Sequence, residues 1–523
     1  MSLLKKPGIT SLFLLLTHCF VVAQTCAECR YIAPVFDSVT VSTVKFGRGA
    51  RADGSMQDLY MDIYQPYGDT AINRPLAIFA FGGAFVTGSR DDWYVVLVCE
   101  HLARAGYVVA SIDYRIYNDA GELASEVASG LLISGVPYHM RIFFRPMQDM
   151  RAAVQYFKAD YAELGNTYRI DTSRILIGGA SSGGITALMV AYCDKPGELG
   201  ELGAGSLVPI DALGGFYSTS GFYPTYSWKA RAVFQVSGAL LSDDWIEPGD
   251  IPVISAHGNA DDIVPYGTGP FSGLTLGFFN MYGSAVVDSA ARANGVCSYL
   301  FTMEGKGHPS ESFGIEYLKS VVYRLMLRMH AVIHDRSFCC PLSVETTPTD
   351  TLFYQPHSGP QTVHAQLQHS QGQAHIQWCS IDCFETSSGP GLTFEPRDTA
   401  FKYVACIASE DGCQDAELIT LRYLPPDTVN IAAGQHPADN NVRVYPVPAT
   451  GELNLQGIPK YLNGKDMLIT ISDVTGRVVF SQRIASSGNM NVKLPCASAQ
   501  PGCYVLSLAA TNGVFHRQLI LLQ

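Results

Sequence analysis

The sequence predicts an α/β domain with a mostly parallel sheet, followed by two small all-β sandwich modules. Three observations predict this. From about Val39 to His334, short apolar runs rich in β-branched residues alternate with longer amphipathic ones, the pattern of a sheet covered by helices. After His334 the helical period disappears and Thr, Ser, Pro and Gln take over. Around residues 425–440 lies a stretch rich in Pro, Asp, Ala, Gly and Asn, the composition of a linker, and beyond it Val442 to Gln523 again reads as short strands.

Taken in order, the chain opens with Lys5 and Lys6, then Leu12-Phe13-Leu14-Leu15-Leu16, then Val21-Val22-Ala23 with small residues where a signal peptidase reads. This is the layout of a secretory signal peptide cleaved after Ala23, giving a leader over 1–23. A lipid-modified cysteine would need a small residue before it, whereas His18 precedes Cys19 and Thr25 precedes Cys26. No later run approaches the ~20 apolar residues of a membrane span. Over 24–334 the expected strands are Leu59–Tyr64, Leu76–Phe81, Val108–Ile112, Ile175–Ile177, Ala232–Val236, Val253–Ala256 and Tyr299–Thr302. The clearest helix is Asp149–Leu164, with Met150, Ala153, Val154, Phe157 and Tyr161 at helical spacing. A β module with its linker is expected over 335–435, with strands at Ala400–Ala408 and Leu418–Tyr423. A second is expected over 436–523, with strands at Met467–Ile471 and Val505–Leu508.

A chain of 523 residues that is 47% hydrophobic has room for several packed cores. Its net charge of -12 argues against a nucleic acid or an anionic membrane as partner, because either calls for a basic face. The 14 cysteines suit an exported protein with disulfides. Cys339, Cys340, Cys379, Cys383, Cys406 and Cys413 crowd one region, and Cys496 and Cys503 lie near the end. Only Cys26-Ala27-Glu28-Cys29 has the Cys-x-x-Cys form, and one such pair cannot complete a tetrahedral zinc site, so no metal or cofactor is called for.

The chemistry centres on Gly179-Ala180-Ser181-Ser182-Gly183, which follows the run Ile175-Leu176-Ile177 and precedes Ile185 to Val190. Strand, sharp turn, helix is the context in which Gly-x-Ser-x-Gly presents a nucleophile, and the glycines leave the hydroxyl uncrowded. Ser181 is the candidate nucleophile. A base and an orienting acid should follow in the order acid, then histidine. Asp261 and Asp262 stand in the loop after Val253–Ala256, and Asp261 is favoured; a solvated acidic turn is the plainer reading of the pair. His308 ends Gly305-Lys306-Gly307-His308 and is favoured as base over His257, which ends the strand bearing the acid. Pro75 to Phe81 runs into Gly82-Gly83-Ala84-Phe85-Val86-Thr87-Gly88, whose backbone N–H groups suit an oxyanion, with Ser182 as a further donor.

Asp62-Ile63-Tyr64-Gln65-Pro66, Phe81-Gly82-Gly83-Ala84-Phe85, Ser111-Ile112-Asp113-Tyr114-Arg115, Gln148 to Ala153, the serine turn and the Asp261 and His308 loops come in one fixed order. On these, residues 55–330 resemble the α/β-hydrolase carboxylesterases related to hormone-sensitive lipase and to bacterial feruloyl and xylan esterases. The resemblance implies an α/β-hydrolase fold, a Ser181–His308–Asp261 triad and an oxyanion hole from Gly83, Ala84 and Ser182. Phe81 stands where the family has a histidine, which removes a hydrogen bond that stiffens the turn, and Ala84 stands where it has a third glycine. Two insertions, Ile116–Phe144 with Leu131-Leu132-Ile133, and Gly214–Trp228 with six aromatic residues, fall where the family builds lids and acyl pockets; aromatic loop packing is the plainer reading.

Val444-Tyr445-Pro446-Val447-Pro448-Ala449, Ile471 to Arg477, Gln500 to Val505 and the basic His516-Arg517 end resemble the sorting domain of type IX secretion in Gram-negative bacteria. The family usually has Asn at the position of Val447. The middle module resembles the Ig-like and PKD-like spacers of such proteins. These resemblances imply a carboxylesterase exported through the periplasm to the cell surface or medium, with an ester substrate and the secretion machinery as partners. The rival readings are a prolyl-oligopeptidase-type peptidase, whose propeller does not fit the about 50 residues before the hydrolase, and a non-catalytic adhesin, against which the complete Ser, Asp and His set speaks.

Overall fold

The computed structural model describes residues 29–118, 121–122, 140–201, 211, 213–272, 280–309, 313–354, 359–381, 386–394 and 402–423, and strands within 443–522. The expected signal peptide, the linker, residues 131–133 and 446–450 lie outside the described residues. The chain divides into two compact units, one ending at residue 423 and the other beginning at residue 424.

The first unit is organised by an eight-stranded sheet. Its strands are β1 (Val39–Ala50), β2 (Met56–Pro66), β3 (Arg74–Ala80), β4 (Val108–Ile112), β5 (Ile170–Ala180), β6 (Ala232–Val236), β7 (Val253–Gly258) and β8 (Ser298–Met303). They run in the order β1-β2-β4-β3-β5-β6-β7-β8. From β4 to β8 every neighbour is parallel, and β2 joins antiparallel to both β1 and β4. All residues of β3, β4 and β7 are buried, which is why these strands read as continuous apolar runs rather than alternating ones. The helices that position the site are α1 (Trp93–Arg104), α2 (Met140–Glu163), α3 (Ser182–Tyr192), α4 (Ser284–Ala293) and α5 (Ile315–Ile333). This sheet order, with a helix springing from the end of β5, is the α/β-hydrolase arrangement.

Two charged clamps fix the loops at the carboxyl ends of the strands. Arg115, just after β4, donates its backbone N–H to Asp149 Oδ2 at 2.7 Å, and its guanidinium lies 2.8 Å from Oδ1. The Ser220 hydroxyl donates to the same carboxylate at 2.5 Å, and Asp149 is fully buried on α2. Arg90 bridges Asp62 of β2 at 2.8 Å and Asp113 at 2.9 Å. Arg115 and Asp149, from two of the motifs, are therefore each other's partners, while Asp62 and Asp113 share Arg90.

Besides a small three-stranded sheet of Ala239–Leu240, Thr268–Pro270 and Asn280–Gly283, the first unit holds, after α5, the strands β9 (Ser343–Thr347), β10 (Thr351–Tyr354), β11 (Gln361–Gln368), β12 (His375–Ser380), β13 (Thr386–Ser388), β14 (Gly391–Phe394), β15 (Lys402–Glu410) and β16 (Cys413–Tyr423). They form a sheet β9-β11-β14 and a sheet β10-β16-β15-β12-β13. One buried cluster draws Val344, Val363 and Leu392 from the first sheet and Trp378, Val404 and Ile419 from the second. Disulfides join Cys29 to Cys379, Cys297 to Cys339 and Cys340 to Cys413. Cys406, grouped with disulfide cysteines by its place in the sequence, is instead a free thiol in that cluster, with its pKa raised by burial. The second unit contains sheets of β17 (Arg443–Tyr445), β18 (Glu452–Gln456) and β21 (Asn489–Lys493), and of β19 (Asp466–Asp473), β20 (Val478–Ala485), β22 (Gly502–Ala510) and β23 (Gly513–Leu522). Met467, Ile469 and Ile471 are buried at period two and share β19 with less buried neighbours, as a one-sided strand requires.

Cutting the Asp149 carboxylate back to alanine leaves the Arg115 guanidinium buried without its counter-charge. Asp149→Ala is expected to cost about 3–5 kcal/mol in a urea unfolding curve. Glu247→Ala, which breaks the exposed pair with Lys195, is expected to cost no more than about 1 kcal/mol. Equal losses in the two variants would contradict the buried clamp.

Candidate active site

The last residue of β5 is Ala180 and the first of α3 is Ser182, so Ser181 alone makes the turn. It does so at φ 53°, ψ -122°, a conformation that costs a non-glycine residue roughly 1–3 kcal/mol and persists only where the surroundings impose it. They do: the Ser181 N–H donates to Val236 O at 2.8 Å, and Ser181 O accepts from Ile185 N at 2.9 Å. A Cβ on Gly183 would lie 2.1 Å from Ala80 O and 2.4 Å from Phe81 O, so only glycine lets α3 start against the end of β3.

Three expected side chains meet at this turn. His308 Nε2 lies 2.9 Å from Ser181 Oγ, and His308 Nδ1 lies 2.7 Å from Asp261 Oδ2. The other Asp261 oxygen accepts the N–H groups of Ile263 and Val264 at 2.9 and 3.0 Å, so the carboxylate caps its own loop and holds one orientation. Burial pushes the Asp261 carboxyl up, but hydrogen bonds from His257 and His308 outweigh it and hold the group well below the usual carboxylate range. Asp262 is exposed and lies outside the set. His257 sits on the far side of Asp261, fully buried. Its Nε2 faces only acceptors, Val264 O at 3.1 Å and Asp261 Oδ2 at 3.3 Å, so that nitrogen carries the proton and Nδ1 accepts from the Ser284 hydroxyl at 2.7 Å. The acid and histidine loops are tied together: the Ala260 N–H donates to Lys306 O at 2.9 Å and Gly305 N–H to Asn259 Oδ1 at 2.7 Å.

Gly83, Ala84 and Phe85 all have positive φ, at 135°, 52° and 63°. They wind the turn about the Gly83 carbonyl, which accepts from Val86 and Thr87 N–H groups at 3.0 Å. Among the described residues, the N–H groups of Gly83 and Ala84 have no hydrogen-bond partner. The Ser182 N–H belongs to the first turn of α3, whose donors have no partner within the helix. With Phe81 at this position, the turn is held by Tyr114. Tyr114 stacks on the Phe81 ring with centroids 4.3 Å apart, donates its hydroxyl to Phe81 O at 2.9 Å, and reaches Ser182 Oγ at 3.0 Å. The Gly82 N–H donates to Tyr94 Oη at 2.6 Å.

Ser181, His308, Gly83 and Ala84 open on a cavity of about 940 Å³. Its walls are mostly apolar, with Trp93 and Leu97 from α1, and Leu318 and Val322 from α5. Among the described residues, no group of three His, Cys, Asp or Glu side chains is placed to hold a metal ion, and no helix is long and apolar enough to cross a membrane.

Residues 61–126 and 138–270 match the BD-FAE family model, and residues 443–522 match that of the secretion system C-terminal sorting domain. The chain carries a BD-FAE esterase domain and a C-terminal sorting domain. Among solved structures it is similar to esterase 2 of Thermogutta terrifontis phosphorylated by paraoxon, at 20% identity over 56% of this chain and 94% of that one, with a TM-score of 0.39. It is also similar to the butyrate-bound form of that esterase, at 21% identity over 51% and 86%, TM-score 0.34. Esterase Est22 is similar at 14% identity over 61% and 87%, TM-score 0.35. No curated protein matches the chain in sequence.

In this esterase domain the segment Gly214–Trp228 does not line the cavity. It packs on α2 instead, where the buried Arg151 guanidinium lies 4.8 Å from the Phe216 ring and 4.4 Å from that of Trp228. Gln155 donates to Tyr226 O at 2.6 Å. Aromatic packing, the plainer of the two expectations, is what the structure has. Of the first insertion, Phe143 packs edge-on against Phe85 at 5.4 Å. Sequence reasoning did not find Tyr94, which stands on an ordinary amphipathic helix without a motif around it. Tyr114 is visible in the sequence only as part of the Ser111–Arg115 motif.

Tyr114→Phe removes one hydroxyl and strands two buried partners, Phe81 O and Ser182 Oγ. The expected loss is about 1–3 kcal/mol in thermal or urea unfolding. An unchanged midpoint would show that the turn does not depend on this bond.

Proposed function

We propose that the protein is an exported serine carboxylesterase, and the observation that carries this reading is the continuous hydrogen-bonded line Asp261–His308–Ser181 beside unpaired backbone donors. Ser181 Oγ attacks the ester carbonyl carbon while its proton passes to His308 Nε2. The carbonyl π pair moves onto oxygen, and the N–H groups of Gly83, Ala84 and Ser182 receive the resulting oxyanion. Collapse of the tetrahedral species breaks the bond to the alkoxy oxygen, which leaves as the alcohol with the proton from His308. Water then repeats the sequence on the acyl-enzyme, giving up its proton to His308 and restoring Ser181. Asp261 remains ionised, holds the ring so that Nε2 faces the serine, and stabilises the imidazolium.

The domain layout that accompanies this reading is a signal peptide at 1–23, the hydrolase at 24–334, a β module and linker at 335–435 and the sorting domain at 436–523. It is supported by the leader composition, the sorting-domain match and the change of texture after His334. Export then runs through the periplasm to the cell surface or medium. The three disulfides among the described residues suit that destination.

Purified protein is expected to hydrolyse p-nitrophenyl esters with a burst of one nitrophenolate per active site where deacylation is slow. Ser181→Ala is expected to lose both burst and turnover. Turnover that survives the substitution would overturn the reading. Because the Asp261 carboxyl is held below its usual range, it stays charged in mild acid and is expected to add no proton to the acid limb of kcat/KM. Asp261→Asn is expected to lower plateau kcat by about 10⁴-fold, since the ring loses the acceptor that fixes its tautomer. Two protons in the acid limb of the unmodified enzyme would contradict that charge state.

A further inference from the structure

Tyr94 stands on α1 at the edge of the oxyanion turn, and its hydroxyl is engaged on one side only. The Gly82 N–H donates to Tyr94 Oη at 2.6 Å. A backbone N–H has nothing to accept with, so the phenol's own hydrogen points elsewhere. Among the described residues it meets no acceptor. The side chain lines the cavity with Ser181, Gly83 and Ala84. A Cβ placed on Gly82 would lie 3.0 Å from Ser181 Cβ and 3.4 Å from Tyr94 Oη, so nucleophile and phenol flank one point. The bond received from Gly82 also polarises the O–H and makes it a stronger donor.

We infer that the Tyr94 hydroxyl is a catalytic donor of this site, giving its hydrogen bond to the ester oxygen that becomes the oxyanion, beside the backbone N–H groups of Gly83, Ala84 and Ser182. The inference rests on the serine esterase reading above. The proton stays on Tyr94 throughout: the carbonyl π pair moves to oxygen as Ser181 attacks, the O–H shortens its bond to that oxygen, and the pair returns when the alkoxy group leaves. Burial pushes the phenol up to about 12, so it remains a neutral donor across the working range. A phenol that only braced the turn would need to accept from Gly82 and nothing more.

That difference supplies the test. Tyr94→Phe is expected to lower kcat for p-nitrophenyl butyrate by about 10²-fold with KM changed far less. A loss below threefold overturns the inference. Because the same substitution also frees the Gly82 N–H, the deciding measurement uses mono-, di- and trifluorotyrosine at position 94, which keep the shape and ionise progressively earlier. A required donor gives an alkaline limb in kcat that moves to lower pH with each fluorine. A phenolate accepts from Gly82 better than a phenol does, so a mere brace gives no such limb, and a profile unchanged across the series overturns the inference. Ser181→Ala separates the two claims: if hydrolysis survives it, the esterase reading fails, whereas a flat fluorotyrosine series with Ser181 essential removes only the role of Tyr94.

Discussion

The contact on which the site depends is the approach of Gly183 to the carbonyl oxygens of Ala80 and Phe81. A methyl group there would sit 2.1 Å from Ala80 O. Because that space is open, α3 starts directly against the end of β3, and two features with separate places in the chain become neighbours. One is the strained Ser181 turn; the other is the Gly82–Ala84 turn that leaves β3. Under the proposed function, donors for an oxyanion come from both, Ser182 on one side and Gly83 and Ala84 on the other. Any residue larger than glycine at 183 would push them apart before it touched a substrate, since a close-packed interior has no slack of that size.

Strain at Ser181, Ala84 and Phe85 has to be held by something, and the holding is polar. Arg90 ties the exit of the oxyanion turn to Asp62 on β2 and Asp113 after β4, while the Ser111 hydroxyl donates to Arg90 O at 2.7 Å. Arg115 and Asp149 fix the next loop to α2. Buried ion pairs contribute little net stability compared with apolar packing, but a removed partner is costly, so they select one position for each loop. Tyr114 does similar work at the turn that begins at Phe81. Stacking puts its ring on Phe81, and its hydroxyl reaches both turns at once. The turn that begins at Phe81 is thus held by a residue 33 positions away.

Legibility followed burial and chain order. Six of the seven expected strands lie inside the sheet, where burial produces apolar runs; the seventh, β8, is the far edge and is buried only at its ends, but its Tyr299-Leu300-Phe301-Thr302 run still has strand character, whereas most residues of the edge strand β1 are not buried and carry no such signal. α2 begins nine residues before the expected Asp149, and Pro146 lies within it. Ser181, Asp261 and His308 were readable because each stands in a glycine-rich or acidic loop at the carboxyl end of a strand, and the chain order restricts the pairing. Tyr94 and the far-side role of His257 were not, because what matters about them is where a hydroxyl and a ring nitrogen point. The pairing of Cys29 with Cys379, across a separation of 350 residues, has no local signal either.

The middle strands enter the chemistry through α5. One side of that helix supplies Leu318, Val321 and Val322 to the cavity wall. Another side meets β15 and β16: the Tyr403 hydroxyl donates to Glu316 O at 2.5 Å, Tyr403 packs on Tyr323 at 5.5 Å, and Gln414 donates to Leu327 O at 3.3 Å. Burial pushes His330 down to about 3, so this seam carries a neutral ring bonded to Gln414 rather than a charge. Tyr403, Ala405, Ile407, Ala416 and Leu418 belong to the same buried cluster as the core of the esterase sheet. A spacer would share no core with its neighbour. Here the wall of the substrate cavity is a helix packed from behind by strands some 80 residues further along the chain, as the 87-residue span of the Tyr403–Glu316 bond records. The width of the cavity is thus set partly by a module that contributes no side chain to it.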